Sequence, residues 1–323
     1  MNRKFVCATL AAALVSGGLA AGSAAADEVT LRGTTAFAQG TTFSRPYEAF
    51  VEWINENGKG VLQIQTVGGP EAMPPFEVGN AVSTGVVDIA NVTAAFYTNI
   101  LPMGDALKLA ENRIQDQRAN GCYDKIDAMH QEQMNVKYLG RTGDHISFHL
   151  YLTKPLAGAD LSGLTIRTTP VYQAMFEKLG ATLIRTPPGD VYTALERGTI
   201  DGYGWPIQGV LDLGWDEQTK YRVDPGFYQV DVDVLVNLDR WQSLSDEQRA
   251  LLEKGIAWLE ERNAENLNIN QAEAAKQAEA GIEVIELDGG DKEKWLNTAR
   301  DAGWEKVAAI DADTAAALQS CMR

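Results

Sequence analysis

The chain is short of histidine, cysteine and positive charge. Over 323 residues it has three histidines, three cysteines and 28 lysines and arginines against 44 aspartates and glutamates, a formal net charge of −16. A surface of that sign repels phosphate backbones and anionic lipid, so nucleic acid is excluded as a partner. His130, His145 and His149 show no metal-ligand spacing. The last two are four apart, but in a stretch that reads as strand rather than helix, so the interval does not bring them together. Gly-x-Ser-x-Gly, His-Glu-x-x-His and a phosphate loop are all missing, which weighs against a secreted enzyme. Neither a metal nor a cofactor is expected. Low-complexity and tandem repeats are absent too, and beyond the N-terminus no apolar run is long enough to cross a bilayer.

The N-terminus itself has the pattern of an export signal. Arg3 and Lys4 precede the apolar run Phe5 to Ala21, and Ala24-Ala25-Ala26 offers a small-residue cleavage site. Residues 1–26 are therefore set aside as a signal peptide cut near Ala26, with Cys7 inside it, and the mature chain is expected in the periplasm. Loss of Arg3 and Lys4 leaves that chain still more acidic. An anionic ligand then needs a local positive site. The two remaining cysteines, Cys122 and Cys321, are expected to bond in an oxidising compartment and to tie the C-terminal tail to a helix near Gly121.

What is present is strand–helix alternation, twice over. Val29 to Gly33, Leu62 to Val67 and Val86 to Ala90 read as strands, with helices from Ser44 and over Phe76 to Thr84 between them. Leu164-Thr165-Ile166, Ala181 to Ile184 and Thr199 to Gly202 repeat the pattern, with helices over Val171 to Leu179 and Asp190 to Arg197. Both units have the grammar of parallel sheets, in which ligands sit beyond the carboxyl ends of the strands. Ile146 to Leu152 and Tyr228 to Leu238 are strands suited to crossing between two lobes. Ser245 to Ala280 is a long helical region broken near Asn268 to Asn270. Its asparagines and irregular apolar spacing fit a helix laid across two lobes better than a coiled coil. The division expected is 27–147 with about 235–275 as lobe I, and 148–234 with about 276–323 as lobe II.

Strand ends then nominate the site. Arg167 ends one strand. Tyr203-Gly204-Trp205-Pro206 is an aromatic turn after another, followed by Gln208. Phe37 and Tyr97, with Phe96, follow the first and third strands, and Glu71 follows the second. His149 and Tyr151 lie on a crossing strand. A guanidinium gives a planar pair of donors matched to a carboxylate, so Arg167 is the candidate anchor of an acid. Trp205 is the candidate to enclose it, and the aromatic tally suggests a ligand with an apolar or aromatic body.

Leu161-Ser162-Gly163-Leu164-Thr165-Ile166-Arg167, Leu179-Gly180-Ala181, Val191 to Gly198 and Ile200-Asp201-Gly202 together resemble the solute-binding subunits of TRAP transporters. Ser83 to Ala90 and Trp241 to Gln248 resemble further family segments. The resemblance implies an α/β periplasmic binding protein of two lobes, with crossing strands, a long spine helix and an interlobe cleft. It also implies that Arg167 pairs with the carboxylate of a small organic acid, a 2-oxo, hydroxy or aromatic one. The partners would be TRAP membrane subunits, and the receptor is expected to be a monomer. Members commonly carry Gln-Glu-Asn after the Asp-Gly. Here Pro206 stands where one branch places an acidic metal-holding residue, so no bridging metal is expected. A receptor that presents its ligand to a membrane sensor is the alternative.

Overall fold

The computed structural model describes residues 28–323, so the expected signal peptide and its expected cleavage near Ala26 lie outside the described residues. In chain order the strands are β1 (Val29–Thr35), β2 (Leu62–Thr66), β3 (Ile89–Val92), β4 (Val136–Thr142), β5 (Ser147–Leu152) and β6 (Thr165–Thr168). Then come β7 (Thr182–Arg185), β8 (Gly202–Pro206), β9 (Tyr221–Gln229), β10 (Val232–Asn237) and β11 (Glu283–Glu286). They form two sheets, ordered β2-β1-β3-β10-β4 and β11-β9-β5-β8-β6-β7, each the centre of one α/β lobe.

In the first sheet β1 pairs parallel to β2 and β3, while β10 runs antiparallel between β3 and β4. Helix Arg45–Asn57 covers it with one apolar face, Tyr47, Phe50 and Ile54, as the spacing predicts. Ser44 stands at its N-cap, but the hydroxyl donates to Ala38 O and the Glu48 carboxylate instead of accepting from a helix amide. Strand β3 begins three residues later than the sequence suggests. Gly85, at φ +76°, turns the chain out of helix Val78–Ser83, and Val86 stays 57% exposed before Ile89 reaches the sheet. The region from Asn112 to Met134 is two helices, Ile114–Asn120 and Cys122–Met134, parted at Gly121 (φ +80°).

In the second sheet β6 is parallel to β7 and β8, and β5 is antiparallel to both β8 and β9. Strand β9 is not evident in the sequence, because Asp224-Pro225-Gly226 at its centre reads as a turn. It is accommodated by register shifts against β5.

The crossings are turns, not the long strands expected. β4 lies in the first sheet and β5 in the second, so the chain crosses at 143–146. Tyr228 to Leu238 is split likewise, β9 ending at Gln229 and β10 starting at Val232. The two crossings touch: Val230 N donates to Ile146 O at 2.9 Å. Gly143, at φ +107°, must be glycine here, since a Cβ would lie 2.7 Å from Val230 O.

Ser245 and Gln248 form a reciprocal capping box at the start of the spine, which is helix Asp246–Glu261, a 3₁₀ turn Arg262–Glu265 and helix Asn266–Glu279. The break thus falls before Asn268. Its cause is the crossing below it: Asn263 Oδ1 accepts from Gly143 N, and Asn266 and Asn270 donate to the carbonyls of Asp144 and His145. The asparagines that spoil a heptad pin the spine to the hinge. Cys122 and Cys321 are disulfide-bonded, and the tail is held further by Asn120 donating to Cys321 O.

One apolar cluster packs β1, β2 and β10 against helices Arg45–Asn57 and Asp246–Glu261. A larger one runs unbroken from Val82 and Leu107 through Phe37, Phe148 and Trp205 to Phe176 and Trp295, and so passes through the cleft between the lobes.

Candidate functional site

The strand ends converge as parallel-sheet geometry requires. Behind β1, the Asn91 amide donates to Phe43 O (2.9 Å) and Thr35 Oγ1 (3.0 Å), fixing the loop that carries Phe37 and Phe43. Behind β3 come Thr93 to Phe96, and behind β6 come Thr169 to Tyr172. Trp205 and Pro206 end β8, Phe148 comes from β5, and Val230 to Val232 from the second crossing. Together they wall an inner cavity between the lobes. An outer cavity shares Phe37, Phe43 and Trp205 with it and adds Pro70, Pro75, Pro188, Gly189 and Asp212. Trp205 packs edge-on against Trp215 and Phe43, with centroids 4.8 and 6.0 Å away, and its buried Nε1–H has no acceptor.

Arg167 is fully buried on β6. Its Nε and Nη2 donate to Thr186 O at 3.0 and 2.8 Å, and Nη1 donates to the Tyr172 hydroxyl at 2.8 Å. Tyr172 passes its own proton to Gly204 O at 2.6 Å. Among the described residues no carboxylate lies within ion-pair distance of Arg167. Burial works against its charge and only Tyr172 supports it. A guanidinium has five N–H donors, and the neutral acceptors here take three of them. Its carbon sits 5.9 Å from the Trp205 indole centroid, directly behind the inner wall.

The remaining nominated residues divide. Phe37, Phe96 and Trp205 are on the cavity wall. Tyr97 is not: it is buried in lobe I, its hydroxyl 2.5 Å from Asp233 and 3.0 Å from His130 Nε2. Burial pushes that histidine down to about 4, so it is neutral there. Glu71 is exposed and folds back to accept from Gly69 N at 2.7 Å, closing its own loop. His149 and Tyr151 sit on the other face of β5 from Phe148 and off the cavity wall, although His149 is the cross-strand partner of Trp205. His149 Nδ1 is 2.7 Å from Asp224, and the Tyr151 hydroxyl reaches Gln277 of the spine and stacks by its ring on Tyr203. Gln208 donates to Asn270 Oδ1 at 2.7 Å, tying the cleft wall to the spine. Tyr203 to Pro206 is strand rather than turn, which is why Tyr203 is inaccessible.

Sequence reasoning passed over Phe43, Phe148, Tyr172 and Asp231. For Asp231 there is a signal, two aspartates alternating within an otherwise apolar strand. Asp231 lines the inner cavity. Its Oδ2 accepts from Ala94 N (2.8 Å) and the Thr93 hydroxyl (3.2 Å), and burial pushes its pKa up to about 6.

Across the mouth, Asp212 of lobe II accepts from the Thr42 amide and hydroxyl, both at 2.7 Å, and pairs with Arg45 Nη2 at 3.3 Å. The Arg185 guanidinium lies 4.7 Å over the Phe76 ring. These contacts join one lobe to the other above the outer cavity.

Two α/β lobes, a paired crossing, a bridging helix and a cavity walled by both lobes define a two-lobed solute-binding protein. The chain belongs to bacterial extracellular solute-binding protein family 7 (DctP), whose model matches residues 33–309. A monocarboxylate 2-oxoacid-binding periplasmic protein of Nostoc sp. strain PCC 7120 is 26% identical over 240 residues, 68% of this chain and 64% of that relative. The match therefore spans just under two thirds of that relative's length. A TRAP transporter solute-binding protein from Bordetella bronchiseptica RB50, with picolinate and calcium in one of its sites, superposes with a TM-score of 0.79 at 21% identity, covering 92% of both chains. One from Desulfovibrio salexigens with bound orotic acid gives 0.79 at 16% identity, covering 91% of this chain and 98% of that one. At these identities the structures establish the shared fold.

Proposed function

We propose that the protein is the periplasmic receptor of a TRAP transporter. It takes an organic acid into the cleft between its lobes, anchors the carboxylate on Arg167, and delivers it to a membrane carrier. The lobes follow the division 27–147 with about 235–275, and 148–234 with about 276–323, except that the crossing at 230–231 puts all of β10 with the first lobe. The observation that carries this reading is Arg167: a buried guanidinium that, among the described residues, has no acid partner and no acceptor for its remaining N–H groups, behind the wall of the interlobe cavity. An isolated buried charge is costly, and an incoming carboxylate supplies both the counter-charge and the missing acceptors. The relatives named for 2-oxoacid, picolinate and orotic acid all point to carboxylates. Binding to both lobes favours the closed arrangement over any other.

The test is a thermal-shift screen of 2-oxo, hydroxy, sugar and aromatic acids, followed by calorimetry on the best of them. Arg167→Met should weaken that acid by about 100-fold or more, roughly 3 kcal/mol for a desolvated charge pair, while keeping the circular dichroism of the wild type. Retention of affinity within a few-fold would remove Arg167 from the site. A screen answered only by amines or neutral sugars would remove the acid.

A further inference from the structure

We infer that the acid this cleft takes carries a cationic nitrogen at its far end, received by the Asp231 carboxylate and by the faces of the aromatic rings around it. The inference rests on the reading of the cleft as an organic-acid site anchored at Arg167.

Asp231 is the one carboxylate on the inner wall, whose other side chains include Phe37, Phe43, Phe96, Phe148 and Trp205. It is 2% exposed, and its two donors, Ala94 N and the Thr93 hydroxyl, both go to Oδ2. Among the described residues no donor reaches Oδ1. Two cations act on it without bonding to it: Arg141 pairs through Nη2 with Asp144 at 3.0 Å, its Nε and Nη1 having no partner among the described residues, and Lys108 pairs with Asp105 at 2.7 Å. Among the described residues neither cation forms an ion pair with Asp231. Its neighbour two residues on, Asp233, is pushed well above the usual carboxylate range by burial and by Asp231, which favours its neutral form. A second sign of an absent ligand stands on the same wall, the buried Trp205 Nε1–H without an acceptor.

The arrangement is thus bipolar. Behind Tyr172 and Trp205 lies an unpaired cation, Arg167. Behind Thr93 and Ala94 lies an unpaired anion, Asp231. Between them are ring faces, which attract a cation and tolerate an apolar body but give nothing to a second anion. A neutral acid satisfies only the arginine end. A dicarboxylate brings a second anion to the aspartate. An acid bearing a substituted ammonium or an amidinium-like nitrogen neutralises both ends and leaves no net charge in the closed cleft.

The test is calorimetry on the mature protein with a graded series of acids, each bearing a quaternary ammonium and each paired with its neutral carbon isostere, against wild type, Asp231→Asn and Arg167→Met. The wild type should prefer the cationic member of the best pair by about tenfold or more, and Asp231→Asn should bring that ratio near one. Asparagine keeps an acceptor for Ala94 N, and the wild-type ratio needs no variant at all. Neutral isosteres that bind wild type as tightly as their cationic partners overturn the inference, and if Arg167→Met still loses both members the receptor reading stands. Cationic acids that lose affinity in Asp231→Asn but keep it in Arg167→Met overturn the acid-anchoring reading instead.

Discussion

Gly204 lies beneath the ring of Tyr172. A Cβ on Gly204 would come 2.7 Å from Tyr172 Cζ, and the Tyr172 hydroxyl donates to the carbonyl of Gly204 itself. The same hydroxyl accepts from Arg167, so the absence of a side chain at one position of β8 sets the aim of the guanidinium on the adjacent strand β6. Gly204→Ala is expected to displace Tyr172, cost about 1–3 kcal/mol as overpacking, and weaken carboxylate binding together with stability. A chemical-denaturation curve and a titration on the same preparation check it. An alanine variant with unaltered affinity would show that Tyr172 does not position Arg167.

The Asp212 contacts with Thr42 and Arg45 should govern how long the cleft stays shut. Arg45 is exposed, so the ion pair adds little, and most of the effect comes from the two Thr42 hydrogen bonds. Asp212→Ala should speed release of a bound acid by roughly 5- to 20-fold with a much smaller change in association rate. Stopped-flow tryptophan fluorescence reads both, since Trp205 and Trp215 pack together at the site.

Acid should destabilise the second lobe at Asp224. Burial acts to raise its pKa, but hydrogen bonds from His149 and Arg222 more than offset this and bring it down to about 2. A carboxyl depressed in the folded state contributes stability that is fully present above its unfolded value near 4 and is lost as pH falls through about 2. That is about 2 kcal/mol for a shift of this size. Asp224→Asn should lower stability at pH 7 and flatten the wild-type decline between about pH 4 and 2. Parallel declines in both proteins would place the acid sensitivity elsewhere.

The disulfide should matter for stability and not for binding. It closes a sequence separation of 199 residues between helices Cys122–Met134 and Ala312–Cys321, and neither cysteine lines the cavities between the lobes. Removing it by Cys122→Ser with Cys321→Ser, or by reduction, should cost about 2–5 kcal/mol through the entropy regained by the unfolded chain. Melting should shift, and the dissociation constant of a bound acid should not.

Much of the fold could be read from the chain because it is local. Periodicity marks the helix face of Tyr47, Phe50 and Ile54, and turn chemistry marks Gly180, Gly198 and the Ser245 capping box. The alternation of strand and helix indicates two parallel-type units, and strand ends nominate Arg167, Phe37 and Trp205. What failed is informative. His149 is the cross-strand partner of Trp205 and yet turns to Asp224, while Phe148 on the other face meets the cavity, and strand alternation alone does not show this. Tyr97 follows the right strand but turns inward, because Asp233 and His130 wait for its hydroxyl in the core.

Sequence by itself therefore determined the two-lobed α/β class, and it nominated an export signal and Arg167 from neighbours within a few residues together with the family resemblance. Only the tertiary structure decided what surrounds that arginine. Its acceptors lie at Thr186, just past β7, and at Tyr172, held in turn by Gly204, while the carboxylate on the cavity wall comes from Asp231, 64 positions further on, at the crossing between lobes. Those distances in the chain are closed by sheet register and by the hinge at Gly143, and neither leaves a local trace in the residues it brings together.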